Sequence, residues 1–543
     1  MKKSSLLAIA ILATLCLSSA VLAGEMSTAG LYVDGKYIKN EDNEILMLRG
    51  ANRPGTEYSC VQYAKIFDGP YDAAHVHEIR NWKINVLRVP LNEDCWLGTN
   101  GPPESFYFGE QYRESIKKYV DMITSNNVAV IVDLHWASHN GTLATEQVAM
   151  PNNKNSITFW GQVADTFKSN SRVIFDLYNE PFPYGNTWDS EDAWQCWKDG
   201  TKCDVDNVTG MQQMVDAIRE TGAKNIILLS GIQYATSFTR FIEYIPFDPL
   251  KQLGAALHSY DFNYCRSKGC WDVYLRPIYE SYPLVATETG QKDCLYDFLL
   301  DFLHYCDKNS IHYLAWSWLT GDCNIPSLIQ DYMGTPSNFG KGYKHHLDVL
   351  GNGEEPWWSD SFDMYNDKLT HWVDNWSTGD NIVNATAQTY AGKYSIQFTP
   401  SAEKSLHLMC WDCIKNQVHK SLEFWIHGGA SGNQNLKLDL LKLQADKTNN
   451  IAQSYDLSNI AGGPIPPNKW VKVVVDLTTL PRQDSYDGFW LKADTDQPDI
   501  YVDSITVRAI NEPPPDDFES SALRLPSPNT LIVFLFSILY LLF

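Results

Sequence analysis

Two glutamates stand near the ends of apolar runs that read as buried strands: Glu180 in Val173-Ile-Phe-Asp-Leu-Tyr-Asn-Glu-Pro181, and Glu288 within Pro283–Thr289. Pro181 cannot donate to a ladder, so the first run must open into a loop there. Other runs end alike, in Arg88, His135, His258 with Tyr260, and Trp316. Any one of these groups alone reads as a structural anchor or a solvated loop residue. Together they would line one bowl with two carboxyls, two imidazoles, a guanidinium, an amide (Asn179), a phenol and an indole. Cleavage of a glycosidic bond needs such a pair of acids, one protonated to help the leaving oxygen depart and one ionised to attack or to activate water. No Ser-His-Asp set with a nucleophile elbow competes, and no metal-ligand spacing does. His75-Val-His77 and His345-His346 fall in helical patterns away from strand ends and read as packed or solvated. No metal and no cofactor is expected.

A shared bowl requires the strand ends to share a face. Strand patterns at Ile45–Ala51, Asn85–Leu91, Val128–Trp136, Val173–Glu180, Asn225–Tyr234, Gly254–Tyr260, Pro283–Thr289 and His312–Leu319 alternate with helical ones. Ile116, Tyr119, Val120 and Ile123 share one face in Tyr112–Asn126, as do Leu299, Phe302 and Leu303 in Leu295–Asp307. The fold class is therefore α/β, a (β/α)₈ barrel with chemistry at the carboxyl ends of its strands. A doubly wound sheet is the alternative, disfavoured because no Gly-rich phosphate loop follows the first strand. Alternation around Asp34-Gly35 predicts a hairpin that caps the bottom of the barrel.

After Gly351-Asn-Gly-Glu-Glu-Pro356 the texture changes. Alternating runs at Ser421–His427, Trp470–Leu477 and Ile500–Val507, separated by Gly, Pro and Asn turns, predict an all-β sandwich. The expected organisation is a secretory leader over residues 1–23, a catalytic barrel over 24–352 and a sandwich over 356–510. An acidic Pro-rich stalk follows over 511–522, and then a glycolipid-anchor signal over 523–543. The leader shows Lys2-Lys3, an apolar run and a Val21-Leu22-Ala23 cleavage signature. The apolar stretch Leu531–Phe543 is short of the ~20 residues a bilayer span needs. With small residues and a polar spacer upstream, it matches an anchor signal with attachment at Ser520 or Ser521. The expected location is the outer face of a eukaryotic cell.

A formal charge of −22 argues against nucleic acid and against anionic polymers. The twelve cysteines suit an oxidising compartment. Spacing suggests the pairs Cys60–Cys95, Cys196–Cys203, Cys265–Cys270, Cys294–Cys323 and Cys410–Cys413, with Cys306 left as a buried thiol, although sequence alone does not fix connectivity. Cys410-Trp-Asp-Cys413 lies in a strand-rich region without a βαβ pattern and reads as a tight structural bridge rather than a redox motif. Sequons at Asn140, Asn207, Asn375 and Asn384 are expected glycan sites.

Leu-Arg-Gly-Ala-Asn, Arg88, Leu-His, Asn-Glu-Pro, His-x-Tyr, Thr-Glu and Ala-Trp-Ser as a set resemble glycoside hydrolase family 5, over residues 30–350 or so. The resemblance implies a retaining mechanism with Glu180 as acid/base and Glu288 as nucleophile. It further implies that Asn179 bonds the sugar 2-hydroxyl, Arg88 and Tyr260 hold Glu288 ionised, His135 and His258 orient substrate and support Glu180, and Trp316 rather than Trp318 forms the stacking floor. The sandwich is similar to carbohydrate-binding jelly rolls, with Trp372, Trp376, Trp411, Trp425, Trp470 and Trp490 as aromatic platforms. Calcium is frequent in such modules, but no ligand motif for it is present here. The implied partner is a polysaccharide, β-1,4-glucan first, met by a monomer tethered to the membrane through its lipid. Mannan, β-1,3-glucan or a glycolipid headgroup are the alternative substrates, and a non-catalytic wall-binding protein is the alternative class. Trp188, Trp194 and Trp197, in the loop from Pro181 to Cys203, either wall the cleft or only pack the loop.

Overall fold

The computed structural model describes residues 26–102, 105–184, 189–321, 325–353, 361–371, 373–443, 449–480 and 485–510. The leader, the stalk, the anchor signal with Ser520, and the residues Trp188, Cys323 and Trp372 lie outside the described residues. Two compact units divide after Pro356.

In the first unit a hairpin, β1 (Tyr32–Asp34) and β2 (Tyr37–Lys39), precedes eight parallel strands. These are β3 (Arg49–Asn52), β4 (Val86–Asn92), β5 (Ala129–Trp136), β6 (Val173–Asp176), β7 (Ile227–Ser230), β8 (Leu253–Tyr260), β9 (Leu284–Gly290) and β10 (His312–Ala315). Each pairs with the next, and β10 closes on β3. Four ladders are shorter than the apolar runs predict. β3 begins only at Arg49, β6 stops at Asp176, β7 covers Ile227–Ser230 and β10 stops at Ala315. Before β3, Leu46 and Leu48 are buried below the barrel, and past β6 apolar character persists because Leu177 and Tyr178 are still buried in its mouth. Leu177 and Asn179 are held there by single backbone bonds to Leu228 O and Leu134 O.

The period-2 alternation of strands decides what fills the barrel. Val86, Ile131, Ile174, Leu228, Ala256, Val285 and Leu314 form an apolar layer inside the bottom, closed from below by Leu31, Ile38, Leu46 and Leu48 of the hairpin segment. Two residues further along, the same inward face carries Arg88, Asp133, Asp176, Ser230 and His258, all buried. The inside of the barrel thus changes from hydrocarbon to charge in one step of the pleat. Glu288 joins this layer through an irregularity. The β8–β9 register runs Ala256↔Val285 and Leu257↔Ala286, then jumps to His258↔Glu288. The extra residue, Thr287, turns Glu288 to the face that Val285 occupies below it, a use of bulges common beside active sites.

Outside the barrel, a helix over Glu110–Ser125 buries Ile116, Tyr119, Val120 and Ile123, and one over Asp297–Asn309 buries Leu299, Phe302 and Leu303. His75 is buried against Arg53, and His346 bonds Asp307 at 2.7 Å, so both are packing histidines. Disulfides join Cys60–Cys95, Cys196–Cys203 and Cys265–Cys270. Cys294 is also disulfide-bonded, and Cys306 is a buried free thiol.

The second unit is a sandwich of antiparallel strands. One sheet contains β11 (Phe362–Asn366), β12 (Lys368–Leu369), β14 (Asn381–Ala385), β15 (Ser395–Phe398), β17 (His419–His427), β20 (Trp470–Asp476) and β22 (Ile500–Ala509). The other contains β13 (Asp374–Asn375), β16 (Ser405–Ile414), β18 (Lys437–Leu443), β19 (Asn449–Asp456) and β21 (Tyr486–Lys492). Leu422, Phe424, Ile426, Val473 and Val475 from the first sheet meet Leu406, Leu408, Leu438, Leu440, Phe489 and Leu491 from the second in one core.

Candidate active site

The charged layer is built around Arg88, which is wholly buried on β4. Its Nη1 donates to Glu288 Oε1 at 2.7 Å and to Asn52 Oδ1 at 3.1 Å. Nη2 donates to Asn179 Oδ1 at 2.8 Å and faces Asp133 Oδ2 at 3.1 Å, while Nε donates to Asp176 Oδ2 at 3.1 Å. One cation therefore serves three carboxylates. Burial works to raise the pKa of both aspartates. At Asp133 the charges of Arg88 and His135 overcome it and the pKa falls, whereas at Asp176 burial prevails and the pKa rises.

Glu288 is the better-supported of the two glutamates. Besides Arg88, the hydroxyl of Tyr260 donates to its Oε2 at 2.6 Å. Burial, then the charge of Glu288, raises the Tyr260 pKa far out of reach, so this phenol stays a donor. Both oxygens of Glu288 thus accept a hydrogen bond from a buried side chain. Glu180 sits differently. A quarter of its side chain is open to the cleft (25%), but the dense protein around it pushes its pKa up to about 7, against the opposing charges of His135 and Arg88. Its Oε1 meets His258 Nδ1 at 2.8 Å, and that imidazole also lies 3.6 Å from Glu288 Oε2. Burial drives the His258 pKa down to about 4, so the ring is neutral and leaves Glu180 free to hold its own proton.

Glu180, His258 and Glu288 each offer an atom within 4.8 Å of the other two. Such a trio could also ligate a cation, but here the atoms are occupied by one another, by Arg88 and by Tyr260. A guanidinium already holding Glu288 works against a second positive charge. The two carboxyls therefore face one shared space, with an oxygen of each within 4.8 Å of the other.

The remaining residues frame this centre. Asn179 is fixed from both ends of its amide, by Arg88 and by Gln147 Oε1 at 3.1 Å, and Gln147 Nε2 returns to Glu180 O at 2.8 Å. His135 Nδ1 bonds Asp133 Oδ2 at 2.8 Å, and its ring stacks on Trp316 with centroids 5.8 Å apart and planes 15° from parallel. Trp316 is half-buried, whereas Trp318 is wholly buried against Trp82. All eight residues singled out from sequence thus converge. Asn52, Glu57, Asp133, Gln147 and Asp176 were not singled out as site residues. Asp133 and Asp176 did leave a signal, since each is an acid inside an otherwise apolar strand. Glu57 is buried, accepts from Gly55 N at 2.7 Å, and is pushed up to about 7 by burial. Gln147 lies in an irregular loop and left none.

Trp194 and Trp197 do not wall the cleft. Both are wholly buried in the core, Trp197 bonding Ser230 O at 2.9 Å and Trp194 bonding Asp189 at 3.1 Å. The four sequon asparagines are exposed, Asn207 donating to Asn140 at 3.0 Å.

Residues 50–322 match the family model described as cellulase (glycosyl hydrolase family 5). An endoglucanase of Dictyostelium discoideum is 30% identical over 156 residues, which are 28% of this chain and 21% of that protein. The manganese dependent endoglucanase Eg5A of Phanerodontia chrysosporium is 28% identical over 196 residues, 35% of this chain and 45% of that one. The chain thus spans less than half the length of these relatives. Among solved structures, the β-glucanase SdGluc5_26A of Saccharophagus degradans with cellotetraose aligns over 60% of this chain and 94% of its own, at 20% identity and a TM-score of 0.47.

Proposed function

The chain belongs to the cellulase family, glycosyl hydrolase family 5, and we propose that it is a secreted endo-β-1,4-glucanase that retains anomeric configuration through two displacements. The observation that carries the mechanism is the pair Glu180 and Glu288, oxygens within 4.8 Å, in unequal surroundings. Glu288, held in place by Arg88 and Tyr260, attacks the anomeric carbon. Glu180, protonated up to about pH 7, gives its proton to the departing oxygen. A covalent glycosyl-enzyme forms, and Glu180, now a base, takes a proton from the water that releases it. Among the described residues Asn179 Nδ2 donates only to Gln147 Oε1, so its second amide hydrogen can serve the 2-hydroxyl. Trp316, propped by His135, supplies the apolar face on which the sugar ring lies.

Secretion is supported by the leader-like first 23 residues and by disulfides in both units. Attachment through a glycolipid at Ser520 rests on the order of small, polar and apolar segments alone. Release of the protein from intact cells by a phosphatidylinositol-specific phospholipase tests it, and retention on the cell after that treatment ends it.

Product analysis by NMR on defined cello-oligosaccharides tests the mechanism and the linkage together. The β-anomer appears first if configuration is retained. Initial α-anomer refutes the double displacement. Reducing-sugar release from β-mannan or β-1,3-glucan, with none from β-1,4-glucan, refutes the substrate and leaves the mechanism standing.

A further inference from the structure

The β6 ladder stops at Asp176, and Glu180 lies beyond its last strand pair. A general acid works only if it is held within reach of the glycosidic oxygen. The hold comes from the loop between β5 and the helix over Asn155–Phe167. Gln147, Val148 and Ala149 of that loop all bond the segment from Tyr178 to Phe182. Val148 O accepts from the Tyr178 hydroxyl at 2.6 Å, and Ala149 O accepts from Phe182 N at 3.0 Å. Beside them the Gln147 side chain bridges Asn179 and Glu180, accepting from Asn179 Nδ2 at 3.1 Å and donating to Glu180 O at 2.8 Å.

The loop is itself anchored by Asn92, Glu93 and Asp94, all buried at the end of β4. Glu93 grips both its ends, accepting from Ser138 N at 3.0 Å, from Ser138 Oγ at 2.7 Å and from Asn152 Nδ2 at 2.7 Å. Ala144 N donates to Asp94 Oδ2, and Ala144 O accepts from Asn92 Nδ2, each at 2.8 Å. Gln147 is thus carried on backbone tied down on either side of it.

The bridge also has a direction. A guanidinium only donates, and a backbone carbonyl only accepts. Arg88 Nη2, at 2.8 Å, therefore draws Asn179 Oδ1 to its side, and Glu180 O draws Gln147 Nε2 to the other. Turning over either amide, or both, would set N–H against N–H or oxygen against oxygen. The chain from Arg88 through Asn179 and Gln147 to Glu180 has one orientation, headed by a cation that polarises each amide along it. One Asn179 amide hydrogen is committed to Gln147. Because the amide plane is held at both ends, the second hydrogen points one way only.

We infer that Gln147 is a positioning residue of the reaction, one that sets the Asn179 amide so that its second hydrogen meets the 2-hydroxyl of the sugar at the cleaved bond. This role rests on the function proposed above, in which Asn179 serves that hydroxyl. Gln147 acts without touching substrate. Removing it leaves the amide held by Arg88 alone, about a terminal torsion whose own preferences are broad. The loss then appears only where a 2-hydroxyl is present to be met. Bonds to that hydroxyl strengthen in the transition state, so a slack amide lowers kcat and leaves KM nearly in place.

The test uses the full chain and compares the aryl β-glycoside of a disaccharide with its analogue lacking the 2-hydroxyl on the sugar at the cleaved bond. The pair is built on whichever disaccharide the parent hydrolyses. The ratio of the two kcat/KM values is read for parent and variants, so the intrinsic reactivity of the deoxy sugar cancels. Gln147→Leu should lower that ratio about tenfold, the worth of one hydrogen bond, through kcat on the hydroxyl substrate and with little change on the deoxy one. Asn179→Ala sets the scale and should lower the ratio at least as far. If Asn179→Ala leaves the ratio unchanged, the 2-hydroxyl role proposed for Asn179 fails and the role of Gln147 with it. If Asn179→Ala lowers the ratio while Gln147→Leu does not, or slows both substrates equally, the role of Gln147 alone is overturned. Should Gln147→Leu not fold, Gln147→Asn, a methylene too short to span both partners, is read in its place with the same outcomes.

Discussion

The Tyr260 hydroxyl donates a hydrogen bond to Glu288 Oε2 over 2.6 Å, while Arg88 bonds the other oxygen, Oε1. A hydrogen bond to a charged partner contributes about 1.5–3 kcal/mol. Tyr260→Phe should therefore lower kcat/KM by roughly 10–100-fold. The loss should fall on kcat with KM little changed, because the bond is made to the nucleophile and not to the sugar. A raised KM with kcat unchanged in Tyr260→Phe would show that the phenol positions substrate rather than the nucleophile.

The alkaline limb belongs to Glu180. Its pKa is pushed up to about 7 by burial, and the general acid must carry its proton when the first displacement begins. kcat/KM should fall as pH rises through about 7, with the slope of a single ionisation. Glu180→Gln should remove that limb and cost about 10²–10⁴ in rate on natural glycosides, and much less on aryl glycosides whose leaving group needs no proton. Equal losses on both substrates would move the acid role to another residue.

Arg88 is surrounded by Asp133, Asp176 and Glu288, all three largely buried. Removing the shared cation leaves buried negative charge uncompensated, so Arg88→Met should cost about 3–5 kcal/mol of unfolding free energy as well as activity. Asp176→Asn removes one of those charges and should restore part of the stability, though not the activity, of Arg88→Met. Denaturant midpoints of the two single variants and the double variant provide the test. Strict additivity would mean that the two residues are not coupled in the way their 3.1 Å contact requires.

The barrel and its chemical face were legible because period-2 runs and their polar ends are local signals. Eight buried strands announce themselves by composition, and the inward step from Ile131 to Asp133 can be counted on the chain. Other features depend on register, which is a long-range property. Nothing in Leu-Val-Ala-Thr-Glu states that Thr287 is bulged and that Glu288 consequently points inward. Ladder ends were misplaced for a related reason: Leu177 and Tyr178 are as buried as strand residues, although the pairing has stopped at Asp176. Gln147 was invisible because its role comes from where a loop returns in space. For the tryptophans of the Pro181–Cys203 segment, composition permitted both a wall and a core, and only burial separates the two.

That separation has a measurable consequence. Trp197 is wholly buried, its indole N–H donates to Ser230 O at the end of β7, and its ring contacts those of Trp194 and Phe241. Trp197→Ala would lose that transfer energy, open a cavity and leave a strand-end carbonyl without its donor. Large aromatic-to-alanine changes in cores cost about 3–5 kcal/mol. The bond to Ser230 fixes the barrel wall beside Asp176, which Ser230 Oγ faces at 3.4 Å, but it touches none of the groups assigned to the reaction. At temperatures where the variant is still folded, KM for long β-glucans should stay within about twofold of the parent, because no sugar-stacking surface is removed. A variant as stable as the parent that binds long chains tenfold more weakly would return this tryptophan to the cleft and contradict its burial.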